Sequence, residues 1–253
     1  MNRDWPYPRI FAHRGGGTLA PENTLAAIRL GQSLGYAAHE FDVKLSLDDR
    51  ALLMHDATLE RTTNGSGRAA DMPFEELARL DAGGWHSEAF RGERIPSFAE
   101  AAQVLLAKGT LADIEIKPTP GFDWRTGTRV ALEAQQLWSG APFKPLFTSF
   151  SFEALMAAKE AAPEIARGWL IAQFTDADWR RLEELEAVSL NTDYRRFPVE
   201  MVERVKTAGY RVMLYTINDA DIAARYLDAG VDAIFTDNLQ VFAQRFPALI
   251  RAD

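Results

Sequence analysis

Two histidines, three carboxylates and two cationic side chains recur at short spacings in the first half of the chain. His13-Arg14 runs into Gly15-Gly16-Gly17, a turn whose backbone lets an anionic ligand come close. Glu40 and Asp42 are separated by one residue, His55 is followed by Asp56, and Glu115 stands two residues before Lys117. Glu40, Asp42 and Glu115 offer oxygen donors only, which suits a hard divalent cation, Mg²⁺ or Ca²⁺. Without a cation, three converging carboxylates would repel one another and hold their protons. A cation beside Arg14 and Lys117 would neutralise a phosphoryl group, and two imidazoles would supply acid and base near neutral pH. The inventory suits cleavage of a phosphodiester. Either histidine can be the base, and either water or a neighbouring substrate hydroxyl can make the first attack.

Such residues must be brought together by the elements between them. Apolar runs at Arg9–Ala12, Ala38–Val43, Leu111–Ile116, Leu146–Ser149, Gly168–Ala172, Val188–Asn191, Arg211–Ile217 and Ala233–Thr236 read as strands. Amphipathic segments alternate with them. One spans about 22–34, one follows the capping box Ser97-Phe98-Ala99-Glu100, and later ones stop at Gly209 and Gly230. Eight nearly continuous apolar strands with helical crossovers predict a parallel sheet closed as an α/β (β/α)₈ TIM barrel, whose working residues sit at the C-terminal strand ends. Asp48-Asp49 predicts a hairpin pairing Lys44 with Leu53 and Asp42 with His55. Residues 57–96 break the pattern and read as a small insertion over the strand ends, with one short helix at Pro73–Leu80.

The 253 residues fit one domain, 1–253. A net charge of -8 argues against a broad nucleic-acid surface, and the absence of cysteine excludes disulfides, thiolate metal sites and a Cys nucleophile. No run reaches the roughly 18 apolar residues of a membrane span, and Met1–Pro8 carries no apolar signal core, so a cytoplasmic protein without stable membrane association is expected.

Several strings occur in order: His13-Arg14-Gly15, Pro21-Glu22-Asn23-Thr24, Glu40-Phe41-Asp42-Val43, residues 55–65 (HDATLERTTNG), Ile95-Pro96-Ser97-Phe98, Ile114-Glu115-Ile116-Lys117 and Tyr215-Thr216-Ile217-Asn218. In this ordered set, from about residue 9 to 240, the sequence closely resembles the glycerophosphodiester phosphodiesterases, particularly the short bacterial cytosolic kind. The resemblance implies a barrel with an insertion after the His-Asp string. It implies hydrolysis of deacylated phospholipids such as glycerophosphocholine to glycerol 3-phosphate and an alcohol. By motif position it implies His13 and His55 as the acid/base pair, and Glu40, Asp42 and Glu115 as metal ligands. Arg14 becomes a phosphate contact and Lys117 a phosphate or glycerol contact. Many members carry Trp where this chain has Tyr215, a change confined to packing or the pocket wall. Related phosphodiesterases acting on lysophospholipids or inositol phosphodiesters, and a non-catalytic glycerophosphodiester-binding protein, are the competing readings.

Other polar residues receive structural expectations. His39 alternates with the carboxylates and should face the helix layer. Asn23 and Thr24 should cap the first helix, Asp56 and Arg61-Thr62-Thr63 should shape their loop, and His86 should lie on a surface or lid. Asn191, Asn218 and Asp237 are read as rim residues. Trp85, Phe90, Phe122 and Trp124 either line a pocket for the alcohol or pack against the core.

Overall fold

The structure, a computed structural model, describes residues 5–251; the outermost residues of the expected 1–253 domain lie outside the described residues. Strands β1 (Ile10–Ala12), β2 (Ala38–Leu45), β4 (Leu111–Ile116), β5 (Leu146–Ser149), β6 (Ala166–Ile171), β7 (Ser189–Asp193), β8 (Arg211–Tyr215) and β9 (Ala233–Thr236) pair in parallel. Pairing of β1 with both β2 and β9 closes the ring. Helices α1 (Leu25–Ser33), α3 (Phe98–Lys108), α4 (Asp123–Leu137), α5 (Phe152–Ala161), α6 (Ala177–Glu184), α7 (Met201–Thr207), α8 (Ala220–Asp228) and α9 (Leu239–Arg245) alternate with the strands. The expected (β/α)₈ barrel is therefore present, with β3 (Ala51–Leu53) lying antiparallel on β2 outside the ring.

Strand alternation separates two apolar regions. Ile10, Ala12, Phe41, Val43, Ile114 and Ile116 pack under the helices, whereas Phe11, Ala38, Leu146, Met213 and Phe235 cluster together separately. Glu40, Asp42, Asp113 and Glu115 occupy the positions between the helix-facing residues of β2 and β4, so the same alternation that builds the outer core turns the acids inward. Helix α3 illustrates the packing: Ser97 and Glu100 complete the capping box, Gly109 closes the helix in the left-handed conformation, and Phe98 is fully buried. Truncating Phe98 to Ala would cost about 3–5 kcal/mol.

The hairpin register differs from the sequence expectation by one residue. Lys44 pairs with Leu52 and Leu45 with Ala51; Asp42 accepts from the backbone of Met54, not from that of His55. The cause lies in the turn. Ser46 and Arg50 close a three-residue loop through the Ser46 N–H to Arg50 carbonyl bond, and Asp49 takes a left-handed φ of 60°. The expected pairing of Lys44 with Leu53 implies a four-residue loop; the left-handed residue shortens it by one.

The insertion carries a four-residue helix, α2 (Phe74–Leu77), shorter than the expected Pro73–Leu80, and short 3₁₀ turns at Ala69–Asp71 and Glu88–Phe90. Its Leu59, Phe74, Leu77 and Ile95 form a small buried cluster on Leu52 and Met54. Strand β3 supplies the apolar floor that the insertion cannot make from its own residues.

Candidate active site

The first site residues sit on a turn that the barrel holds in a demanding conformation. Arg14 adopts φ 49°, where a side chain is sterically disfavoured, and Gly15 and Gly17 also have positive φ. The Arg14 N–H donates to Glu40 Oε2 at 2.9 Å and the Gly15 N–H to the Glu40 carbonyl at 3.0 Å. A Cβ at Gly17 would fall 2.1 Å from the Asp237 carbonyl oxygen, so glycine is required for that approach. His39 faces α1, as alternation predicted. It is fully buried, burial pushes its pKa down to about 4, and its neutral ring lies 3.2 Å from the Gly15 carbonyl.

Glu40, Asp42 and Glu115 each present an oxygen within 4.8 Å of the others. All three are buried. Burial first, then the neighbouring Asp42 charge, pushes Glu40 up to about 8 and Glu115 up to about 7. For Asp42 burial acts in the same direction, but Lys117, His55 and Arg14 outweigh it and hold the carboxyl well below the usual range. Lys117 Nζ lies 2.8 Å from Glu115 Oε1 and 3.3 Å from Asp42 Oδ1. When all three carboxylates ionise, Lys117 and Arg14 still leave one negative charge in excess, which a divalent cation would neutralise. The donor set fits a hard cation by its chemistry and its convergence.

Asn23 does more than shape the helix entry. Thr24 is the N-cap of α1, accepting from the Ala27 N–H, whereas Asn23 clamps Asp42 at both ends. Its amide donates to Asp42 Oδ2 at 2.7 Å and its carbonyl oxygen accepts from the Asp42 N–H at 3.0 Å. Asn23 adopts φ 58° to do so.

Each histidine is braced by a carboxylate. His13 Nδ1 lies 2.6 Å from Asp237 Oδ1, and the Asn218 amide fixes Asp237, its Nδ2 donating to Asp237 Oδ2 and its Oδ1 accepting from the Asp237 N–H. His13 Nε2 is left 3.8 Å from Glu40 Oε2. His55 Nδ1 lies 2.6 Å from Asp56 Oδ1; Arg61 donates to Asp56 through Nε and Nη2 and to Glu22 through Nη1 and Nη2, and Glu22 also accepts from Arg14 Nη1. Burial lowers the His13 pKa, but the bond to Asp237 and the charge of Glu40 prevail and raise it. For His55, burial with the Lys117 and Arg14 charges prevails over Asp42 and Asp56 and lowers it.

One cavity of about 780 Å³ brings together His13, Arg14, Glu40, His55, Glu115 and Lys117. Asp42 lies beneath, in contact with Lys117. All seven expected site residues thus meet at the C-terminal end of the barrel. Asp56 and Asp237, read from sequence as loop and rim residues, instead orient the imidazoles. Their signal was present, because a working histidine needs a partner for its second nitrogen. Lys44, read only as a hairpin residue, is buried with Nζ donating to the His55 carbonyl. The aromatic residues lining the cavity are Phe150, Tyr194, Tyr215 and Phe235. Of the four aromatics expected from sequence, Trp85 lines a smaller cavity behind His13 and Arg14, and Phe122 lines a separate cleft with Leu47 and Asp49.

Residues 13–241 match the glycerophosphoryl diester phosphodiesterase family. The chain belongs to that family. It is a member of the phosphoric diester hydrolase class. It is 34% identical over 229 residues to a glycerophosphodiester phosphodiesterase of Caldanaerobacter subterraneus, covering 90% of this chain and 93% of the relative. A glycerophosphodiester phosphodiesterase of Bacillus subtilis is 29% identical, over 91% of this chain and 84% of the relative. The structure superposes on that of an Oleispira antarctica phosphodiesterase, in complex with the product sn-glycerol 3-phosphate, with a TM-score of 0.89 and 36% identity, covering 96% of this chain and 98% of the other. Among the described residues no helix is long and apolar enough to cross a membrane.

Proposed function

We propose that this chain hydrolyses glycerophosphodiesters, such as glycerophosphocholine, to glycerol 3-phosphate and an alcohol. The observation that carries the reading is the convergence of three carboxylates and two braced histidines on one cavity. Glu40, Asp42 and Glu115 would hold a divalent cation, Mg²⁺ or Ca²⁺, which when bound supplies charge neutralisation for the phosphoryl oxygens. Arg14 and Lys117 line the same cavity and add positive charge for the phosphate. His13, with Asp237 and Glu40 beside it, favours the imidazolium form and serves as the acid that protonates the leaving oxygen. His55, facing Lys117 and Arg14, favours the neutral form and serves as the base that takes the proton of the attacking hydroxyl. The lysophospholipid reading is less well supported, because the cavity includes Asp113, Thr148 and Asn191 where an acyl chain would need apolar contacts.

The test is release of glycerol 3-phosphate from glycerophosphocholine by purified protein, with Mg²⁺, Ca²⁺ or EDTA. Chelation should abolish it, and His13→Ala or His55→Ala should lower kcat by about 10²-fold or more. Undiminished turnover after stringent chelation would remove the cation, and calorimetric binding without any product would favour a non-catalytic binding protein.

A further inference from the structure

Beneath the acid/base machinery the cavity continues to Asp113 on β4 and Asn191 on β7, both fully buried. Each has one polar atom anchored and one without a hydrogen-bond partner among the described residues. Asp113 Oδ1 accepts from Thr148 Oγ1 at 2.8 Å, and Oδ2 has no such partner. Asn191 Oδ1 accepts from Ser189 Oγ at 2.7 Å, and Nδ2 has no such partner. The anchoring fixes the rotation of both groups, so one carboxyl oxygen of Asp113 and the amide nitrogen of Asn191 are held in place without such a partner. Gly168, on the neighbouring strand β6, makes room for the Ser189–Asn191 pair: a Cβ there would lie 2.5 Å from Ser189 Oγ and 2.9 Å from Asn191 Oδ1.

Leaving buried polar atoms unpaired destabilises a fold unless something else satisfies them. A hydroxyl group both donates and accepts, and so can pair with the Asp113 carboxyl oxygen and with the Asn191 N–H. We propose that Asp113 and Asn191 form a hydroxyl-binding floor that takes a hydroxyl of the glycerol moiety and thereby selects a polyol phosphodiester over an alkyl one. This rests on the proposed function for the identity of the polyol. The floor would discriminate in the manner of sites built around a substrate hydroxyl, which reject analogues lacking it because their own buried groups are then left unpaired.

The experiment is calorimetry in Mg²⁺ buffer with sn-glycerol 3-phosphate and with propyl phosphate, which has the same carbon chain and no hydroxyl. The wild type should bind glycerol 3-phosphate about tenfold or more tightly than propyl phosphate. Asn191→Leu, close to Asn in size, should shrink that ratio about tenfold. It should also raise KM for glycerophosphocholine more than it lowers kcat. Thr148→Val, which frees Asp113 Oδ1, should shrink the ratio in the same direction and serves if Asn191→Leu does not fold. A wild-type ratio near one, or the same ratio in wild type and folded variants, overturns the floor. Retained preference for glycerol 3-phosphate in a protein that hydrolyses no glycerophosphodiester would overturn the proposed function and leave the floor standing.

Discussion

His55 and Asp56 are neighbours in the chain and partners in space, with Nδ1 2.6 Å from Oδ1. A peptide link alone would not hold that contact; Arg61 does, by gripping Asp56 and Glu22 together. Since Asp56 raises the His55 pKa, Asp56→Asn should move the acidic limb of the kcat/KM profile to lower pH. It should also lower kcat, because the imidazole loses its orientation. A pH–rate profile with an unmoved acidic limb would show that His55 is not the base.

Asp237 acts on His13 in the same sense. At the acid, activity is lost as the pH rises through its pKa, so a raised His13 pKa places the basic limb above about 6.5. Asp237→Asn removes the charge that raises it and weakens the bond to a neutral one, and the basic limb should move downward. The two single variants should therefore shift opposite limbs of one bell, each read from kcat/KM between pH 5 and 9.

The acidic triad makes stability depend on pH and cation together. Up to about pH 8 the folded state keeps a proton on Glu40, whereas the unfolded chain releases it near about 4.3. The folded state therefore binds more protons across this window, and stability of the chelated protein falls as the pH rises through it. Adding Mg²⁺ or Ca²⁺ at one fixed concentration, a hundredfold above its Kd at pH 8, should restore about 2.7 kcal/mol there and less at pH 6, where protons compete for the carboxylates. That corresponds to a rise of about 5–10 °C in Tm, with the larger effect at pH 8 than at pH 6. Thermal unfolding with and without EDTA at the two pH values measures it; an equal Tm in all four conditions would leave the triad without a cation.

Asn23 should be hard to replace, because it has to accept a left-handed φ and make both bonds to Asp42. Asn23→Ala should cost about 1–3 kcal/mol and weaken cation binding. Asn23→Gly relieves the backbone but not the lost clamp, so its unfolding free energy should recover while cation affinity stays low. If glycine restores both, Asn23 matters only for the turn.

Much of this protein was determined by the sequence alone. Alternation in Glu40-Phe41-Asp42 and in Asp113-Ile114-Glu115 divides each strand between helix layer and barrel interior, since a strand has a period of two. Eight such strands with intervening helices leave little choice but a closed barrel, and closure carries His13, Glu40, His55 and Glu115 to one end. The tertiary structure decided what spacing does not encode. A left-handed Asp49 set the hairpin register, and β3 gave the insertion its core. Ring closure alone brought Asp237, 224 residues away, onto His13. The lining of one cavity by Asp113 and Asn191, each with one buried atom unpaired among the described residues, follows from strands β4 and β7 standing in one ring. Local pattern fixes which face a side chain takes, because that depends on backbone geometry. Which partner it meets there depends on strands far apart in sequence, and only the closed ring puts them in contact.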